Sequence, residues 1–142
     1  LHHLLDDPLY LLSTADGHTL ETMRDATWIA GCERCRSHLL SVCADLGFEP
    51  KIGYTTEDMV VMQALVAAGL GVTTSPGLAL RAHHLNGLVA TELPGSHQHI
   101  YAATYGDPPD PPATAALVAA LAEAAASTVA SLRPEPLVTE SA

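Results

Sequence analysis

The chain has 142 residues, 48% of them apolar and only 4% aromatic, enough for one hydrophobic core or for one domain with part of another. Its net charge is −10, and its six cations (Arg24, Arg34, Arg36, Lys51, Arg81 and Arg133) are too scattered to line a phosphate-binding stripe, which excludes nucleic acid and anionic membranes as direct partners of these residues. Three cysteines, an odd count, argue against a secreted disulfide framework and for a reducing cytoplasm, and neither a leader nor a spanning helix is read along the sequence.

Leu1 to Asp7 is a mixed polar and apolar approach with two histidines, and Leu9 to Ser13 reads as a buried strand. Ala15 to His18 turns around Asp16-Gly17, and Leu20 to Ala26 fits one short helical turn. Trp28 to Ala30 is a brief strand ending at Gly31. Cys35, Leu39, Val42, Cys43 and Leu46 fall at helical spacing, so Cys32 to Leu46 is predicted helical, with Gly47 ending it.

The stretch from Lys51 to Pro76 organises the rest. Ile52 to Tyr54 is a strand, and Thr55, Thr56, Glu57 and Asp58 carry helix-start chemistry, a Thr-x-x-Asp cap with two acids at the positive end of the helix dipole. From Met59 to Ala68 only Gln63 is polar, so this helix is expected to be largely buried. Gly69 suits the left-handed position after a helix, Gly71 to Ser75 is the next strand, and Pro76 ends it. A helix between two short strands implies a parallel crossover.

Gly77 to His84 looks like a short helix broken at Asn86-Gly87. Leu88 to Leu93 is a strand, Pro94-Gly95 a turn, and His99 to Tyr105 another strand. Gly106 to Pro112 is a proline-rich connector, and an amphipathic helix runs from about Ala113 to Leu132 with a disordered tail after it. Short strands alternating with helices predict an α/β fold with a mainly parallel sheet, although the flanking strands Leu9 to Ser13 and His99 to Tyr105 need not belong to it.

The run Asp7-Pro8-Leu9-Tyr10-Leu11-Leu12, then Trp28-Ile29, then Gly47-Phe48-Glu49-Pro50, and above all Leu65-Val66-Ala67-Ala68-Gly69-Leu70-Gly71-Val72 closed by Ser75-Pro76, resembles the C-terminal effector-binding region of LysR-type transcriptional regulators. The likeness covers about Leu4 to Ser127. It implies a periplasmic-binding-protein-like (type 2) architecture, in which two lobes are joined by two crossing strands and a small effector binds between them. On that pattern, residues 1–14 hold the end of the first lobe and one hinge strand, and 15–98 form the second lobe. Residues 99–132 hold the other hinge strand and a helix returning to the first lobe, and 133–142 are a tail. The family's winged helix-turn-helix and the front of its first lobe have no counterpart in these residues. The resemblance therefore implies a fragment or truncated product, whose DNA contact and complete cleft need further segments.

Ligands of open α/β sheets lie beyond the carboxyl ends of the strands, where helix N-termini present unpaired N–H groups. Three such points occur, at Ala30-Gly31-Cys32, Tyr54-Thr55-Thr56 and Thr74-Ser75-Pro76-Gly77. Their small and hydroxyl-bearing residues suit a small polar or carboxylate ligand, and they also suit plain helix capping. The resemblance carries Cys32, Thr56 and Ser75 into the effector pocket, with Gly31, Thr55 and Tyr101 as further candidates.

Two other patterns bear chemistry. Cys32-x2-Cys35-x2-His38 with Cys43 nearby has zinc-ligand residue types, but on one helix these four do not converge on a single ion, and Cys35 and Cys43 fit its apolar stripe. Cys32 at a helix N-terminus has the setting of a lowered thiol pKa and so of a redox switch. His97-x-His99 and His83-His84 have no carboxylate or cysteine at fitting sequence spacing and read as surface histidines, while Asp6-Asp7 and Glu57-Asp58 read as loop charges and helix-cap acids. There is no GxSxG, no third glycine of a dinucleotide fingerprint and no P-loop lysine, so no catalytic set, cofactor or metal is expected.

The reading is thus a cytoplasmic, homo-oligomeric, ligand-sensing module of a LysR-like regulator, whose nucleic-acid contact lies outside these residues. A periplasmic-type solute-binding module shares the two-lobe plan and is the first alternative. A thiol- or zinc-dependent protein using Cys32, Cys35 and His38 is the second.

Overall fold

The structure is a computed structural model and describes residues 1–129. The tail from Arg133 and the helix end at Leu132 lie outside the described residues. Five strands and four helices follow one another as β1 (His2–Ser13), β2 (Thr27–Ala30), α1 (Glu33–Asp45), β3 (Lys51–Thr55), α2 (Met59–Ala67), β4 (Thr73–Pro76), α3 (Gly77–Ala82), β5 (Val89–Ala102) and α4 (Pro112–Val129).

The apolar run of β1 is continuous because both of its faces are covered. Leu9 and Leu11 point to one side and pack with Leu20, Trp28, Leu39, Cys43, Val72 and Leu93, the α1 layer. Tyr10 and Leu12 point to the other and pack with Ile29, Met62, Val66, Leu80 and Leu88, the layer of α2 and α3. Trp28 and Ile29 on β2 divide between the two layers in the same way. The period-two alternation of a strand thus builds two cores on one sheet.

Strand directions follow from the pairings. β2 and β3 are parallel, and Val72, just ahead of β4, bridges Trp28 in parallel on the other side of β2. β4 and β5 both pair antiparallel with β1. Four strands therefore run one way and β1 alone runs against them: the fold is α/β as expected, but its ladders are two antiparallel and one parallel because β1 pairs on both sides. The flanking segments β1 and β5 pair in a three-stranded sheet ordered β4-β1-β5, while β2 and β3 form a two-stranded parallel sheet joined to it at the Trp28–Val72 bridge. The crossover through α2 also stands, with β2 lying between its two strands.

The chemistry of the VAAGLGV run explains how so short a segment makes that crossover. Gly69, at φ +74°, follows the helix end, with its N–H on Val66 O at 2.9 Å and the Leu70 N–H on Leu65 O at 3.1 Å, the paired bonds of a Schellman motif. Gly71 has a different reason: a Cβ there would lie 2.6 Å from the backbone oxygen of Thr27. Val72 can then exchange backbone hydrogen bonds with β2, from Ile29 N to Val72 O and from Val72 N to Thr27 O, both at 2.9 Å.

Several expectations are corrected. Pro94-Gly95 does not end a strand. β5 runs through it, and the register jumps from Tyr10 with Glu92 to Pro8 with His97, so the turn residues belong to a four-residue bulge opposite Leu9 in one long strand. The outer halves of the two long strands, His2 to Pro8 and His97 to Ala102, pair with each other beyond the end of β4. α2 is not buried all round: Val60 and Val61 are 54% and 44% exposed. Its one polar side chain, Gln63, is instead fully buried, where its amide Nε2 donates to His83 O at 2.7 Å and its Oε1 accepts from Leu85 N at 2.8 Å. Hydropathy counts that residue as solvent-facing, but the backbone after α3 needs both a donor and an acceptor there.

α4 seats Ala125 among Leu4, Leu5, Leu78 and Ile100, while Leu117, Leu121 and Val129 stay exposed. Where no spanning segment is read from the sequence, this helix of 18 residues with mean hydropathy 1.4 is long and apolar enough to cross a membrane. Its apolarity comes largely from alanine, and in this fold it lies along β1.

Candidate functional site

The carboxyl tips of β2 and β3 end side by side. Ala30 is opposite Thr55, and the Thr56 N–H donates to Ala30 O at 3.0 Å. Each tip runs straight into a helix N-terminus, so Gly31, Cys32, Thr55 and Thr56 share one partly open edge. Gly31 packs between α1 and α2, where a Cβ would make ordinary contact with Cys35 Cβ at 3.4 Å and Met62 Cε at 3.5 Å.

What caps each helix decides which N–H groups remain for a ligand. Cys32 is the N-cap of α1, its Sγ accepting from Cys35 N at 3.4 Å and lying 2.9 Å from Cys35 Sγ. The Cys35 thiol and then the Cys35 N–H hold the Cys32 thiol below its ordinary pKa, while burial and then Cys32 push Cys35 up. Burial alone pushes Cys43 to about 11. At α2, Asp58 rather than either threonine is the N-cap, its Oδ1 accepting from Val60 N at 2.9 Å and Val61 N at 3.2 Å. Thr56 supports it from outside, with Oγ1 accepting from Asp58 N at 3.2 Å.

The third tip is closed. Ser75 is fully buried, with its hydroxyl turned to Pro76 O at 3.4 Å, and Asp7 of β1 accepts from Leu78 N at 3.0 Å at the start of α3. By strand register Ser75 lies at the same edge as Gly31, three residues beyond the Trp28–Val72 bridge, but beneath the surface. Burial raises the Asp7 pKa, opposed by the N–H groups of Leu78 and Gly77.

Tyr101 lies elsewhere. It pairs with His3 on the outer half of the β1–β5 ribbon, whereas Ser75 pairs with Tyr10. That separation of seven β1 residues is about 24 Å along a strand. A cavity of about 330 Å³ lies between Leu20, Val42, Leu46, Leu93 and Pro94, and none of Gly31, Cys32, Thr55, Thr56 and Ser75 lines it.

The two cysteine expectations divide. Cys43 is core, as its helical stripe predicts, but Cys35 is exposed beside Cys32. Among the described residues the three-ligand cluster that could hold a metal is His3, Asp6 and His99, not the cysteines with His38. Asp6 and Asp7, expected to be loop charges, occupy adjacent positions of β1 and face opposite ways. Asp6 is in the open on two histidines, and Asp7 is buried on α3. The sequence hides the bonds from Asp6 to His99 and from Asp7 to Leu78 because each joins residues more than 70 positions apart.

Comparison with known proteins places this arrangement. The description "LysR substrate binding domain" matches residues 1–126. An HTH-type transcriptional regulator of Bacillus subtilis, YcgK, is 41% identical over 46 residues, 32% of this chain and 14% of that one. The effector-binding domain of QuiR, solved with shikimate, superposes with a TM-score of 0.67 at 21% identity over 89% of this chain and 65% of that one. The regulatory domain of CcmR from Synechocystis PCC6803, solved with 2-PG, gives a TM-score of 0.72 at 14% identity over 87% and 65%. The chain thus spans less than two thirds of the length of these relatives. With nearly all of the described fold inside the matched region, the chain belongs to the LysR substrate-binding domain family.

Proposed function

We propose that this chain is the effector-sensing part of a LysR-type transcriptional regulator, and that a small carboxylate lies over the tips of β2 and β3. The observation that carries this reading is the junction of Ala30 with Thr55 and Thr56, where two parallel strands end at adjacent helix N-termini and leave Gly31, Cys32, Thr55 and Thr56 partly open. Thr55 and Thr56 supply hydroxyl donors and the α1 terminus supplies N–H groups. No cation is needed to attract a carboxylate to such an edge. Related domains bind shikimate and 2-PG, small anions of the class this edge suits. Membership of this family favours a regulator over a solute-binding module.

In this reading the second lobe is the unit between the two long strands, residues 15–98, and the outer halves of β1 and β5 are the hinge. The exposed side of α4, with Leu117 and Leu121, packs on the remainder of the first lobe. A cleft closed by two lobes has only one wall here, which fits an open edge rather than a sealed cavity. Effector binding shifts inter-lobe geometry by its differential affinity for the two states. DNA contact and self-association belong to the whole regulator, which works in the cytoplasm as a binding protein and not as an enzyme.

The test is an amide NMR titration of the isotope-labelled chain with shikimate and with an uncharged sugar as control. Shikimate is expected to shift the Gly31, Thr55 and Thr56 resonances, and Thr56→Val to weaken the effect several-fold. Shifts confined to the Leu20, Val42 and Leu93 cavity, or equal shifts with the sugar, would overturn the reading.

A further inference from the structure

Two strands from opposite ends of the chain put a carboxylate between two imidazoles. Asp6 is opposite His99 in the β1–β5 register, and His3 is opposite Tyr101. Three residues apart on a regular strand, His3 and Asp6 would face opposite ways. The register shift between His3 and Leu5 inserts Leu4 as an extra residue, so both side chains reach the same open face. There Asp6 Oδ1 lies 2.8 Å from His3 Nε2 and 2.6 Å from His99 Nδ1. The three potential ligand atoms all lie within 4.8 Å of one another. His97 continues the face, its ring centroid 4.7 Å from that of His99.

We propose that His3, Asp6 and His99 form a binding site for a zinc-class divalent cation that pins β1 to β5. Two imidazole nitrogens and one carboxylate oxygen are the protein ligands of an open tetrahedral zinc site, with a fourth position for water. Bond lengths of about 2.0–2.2 Å place such ligand atoms roughly 3.3 Å apart in a tetrahedron. The two Asp6 spacings fall short of that by a few tenths of an ångström, and side chains that are 48%, 50% and 54% exposed can open by the difference without disturbing a core. Each neutral imidazole keeps one proton, moved to its other nitrogen, so the metal takes the place of two hydrogen bonds on Asp6. The imidazoles select against magnesium and calcium, which prefer all-oxygen shells. The bulge at Leu4 also acquires a purpose, since without it His3 would be on the wrong face. This site shares no residue with the effector edge; it lies on the β1–β5 ribbon, beyond the carboxyl end of β4.

Zinc binding by the untagged chain, followed by calorimetry and native mass spectrometry, tests the site. One equivalent is expected, with a rise in melting temperature, and no competition from excess magnesium. His3→Ala, Asp6→Asn and His99→Ala are each expected to weaken binding at least tenfold, whereas Cys32→Ser with Cys35→Ser leaves it unchanged. Wild-type affinity in His99→Ala and Asp6→Asn would overturn the proposal. So would loss of binding in the double cysteine variant alone, or no binding by the wild type. Circular dichroism of each variant without metal separates a lost ligand from a lost fold.

Discussion

Asp7 in β1 and Leu78 at the start of α3 are 71 residues apart in sequence and joined by a 3.0 Å hydrogen bond from the Leu78 N–H to Asp7 Oδ1. The local N-cap of α3, Pro76, has no side-chain cap bond, so the cap is supplied by a different strand. Asp7→Ala is expected to cost about 1 kcal/mol, as loss of a helix cap does, measured by urea unfolding. Asp7→Asn keeps the acceptor without the buried charge. Because burial raises the folded pKa of Asp7, its contribution is full below the ordinary carboxylate pKa and declines as pH rises through the folded value. Asp7→Asn should therefore gain on the wild type as pH rises from about 4 toward neutrality. A wild type that gains on Asp7→Asn across that window would contradict the burial account.

Cys32 and Cys35 should react as an unequal pair. The two thiols are hydrogen-bonded to each other at 2.9 Å, an interaction that favours the Cys32 thiolate and disfavours that of Cys35. Alkylation by iodoacetamide at pH 7 is expected at Cys32 first, with Cys43 silent until unfolding because its thiol is buried and its pKa is near 11. Cys35→Ser should slow Cys32, since a partner that lowered its pKa has been exchanged. Peptide mapping of time points reads the order, and faster labelling of Cys35 than of Cys32 would refute it.

The parallel frame was legible because its signals are local. Trp28-Ile29, the Gly69 helix end and the Gly71 approach each write their role within a few residues of sequence. The edge made by Gly31, Cys32, Thr55 and Thr56 was legible for the same reason, since each lies where a strand meets a helix. Ser75 was placed at the right end of its strand, but strand periodicity alone does not reveal whether an odd or even residue faces inward, and it is buried. The resemblance alone ties Tyr101 to that site, and nothing in the sequence tells how far β5 continues past β4. Asp6 and Asp7 were out of reach altogether. Their partners are His99 and Leu78, and only the long antiparallel register of β1 brings those together.

Gly71→Ala and Gly69→Ala should both destabilise, for different reasons. A methyl at Gly71 meets the Thr27 carbonyl oxygen at 2.6 Å, so β2 or the start of β4 must move and the bridge to Trp28 is disturbed. Gly69→Ala meets nothing within 4 Å and bears only the cost of φ +74°. That cost is about 1–2 kcal/mol. Gly71→Ala is expected to exceed it and to weaken hydrogen-exchange protection at Ile29 and Val72, whose bonds depend on the close approach. Equal losses with unchanged protection at Ile29 would remove the steric explanation.

Gln63→Leu sets a gain in apolar burial against two hydrogen bonds. The helix around it is already apolar, so the change looks conservative by hydropathy. In the fold the Gln63 amide serves both His83 O and Leu85 N, and leucine serves neither. Leaving a fully buried polar group without its partner costs about 1–3 kcal/mol; here two half-buried backbone groups, His83 O and Leu85 N, lose their partner at once. The added apolar area returns about 25 cal/mol per Å², over a side chain of nearly the same size. A net loss of about 1–3 kcal/mol in urea unfolding is expected, with an unchanged m-value. Gln63→Glu retains an acceptor for Leu85 N but loses the donor to His83 O, so it should not restore stability. A higher midpoint for Gln63→Leu would mean that the segment after α3 finds water easily and that the buried amide is dispensable.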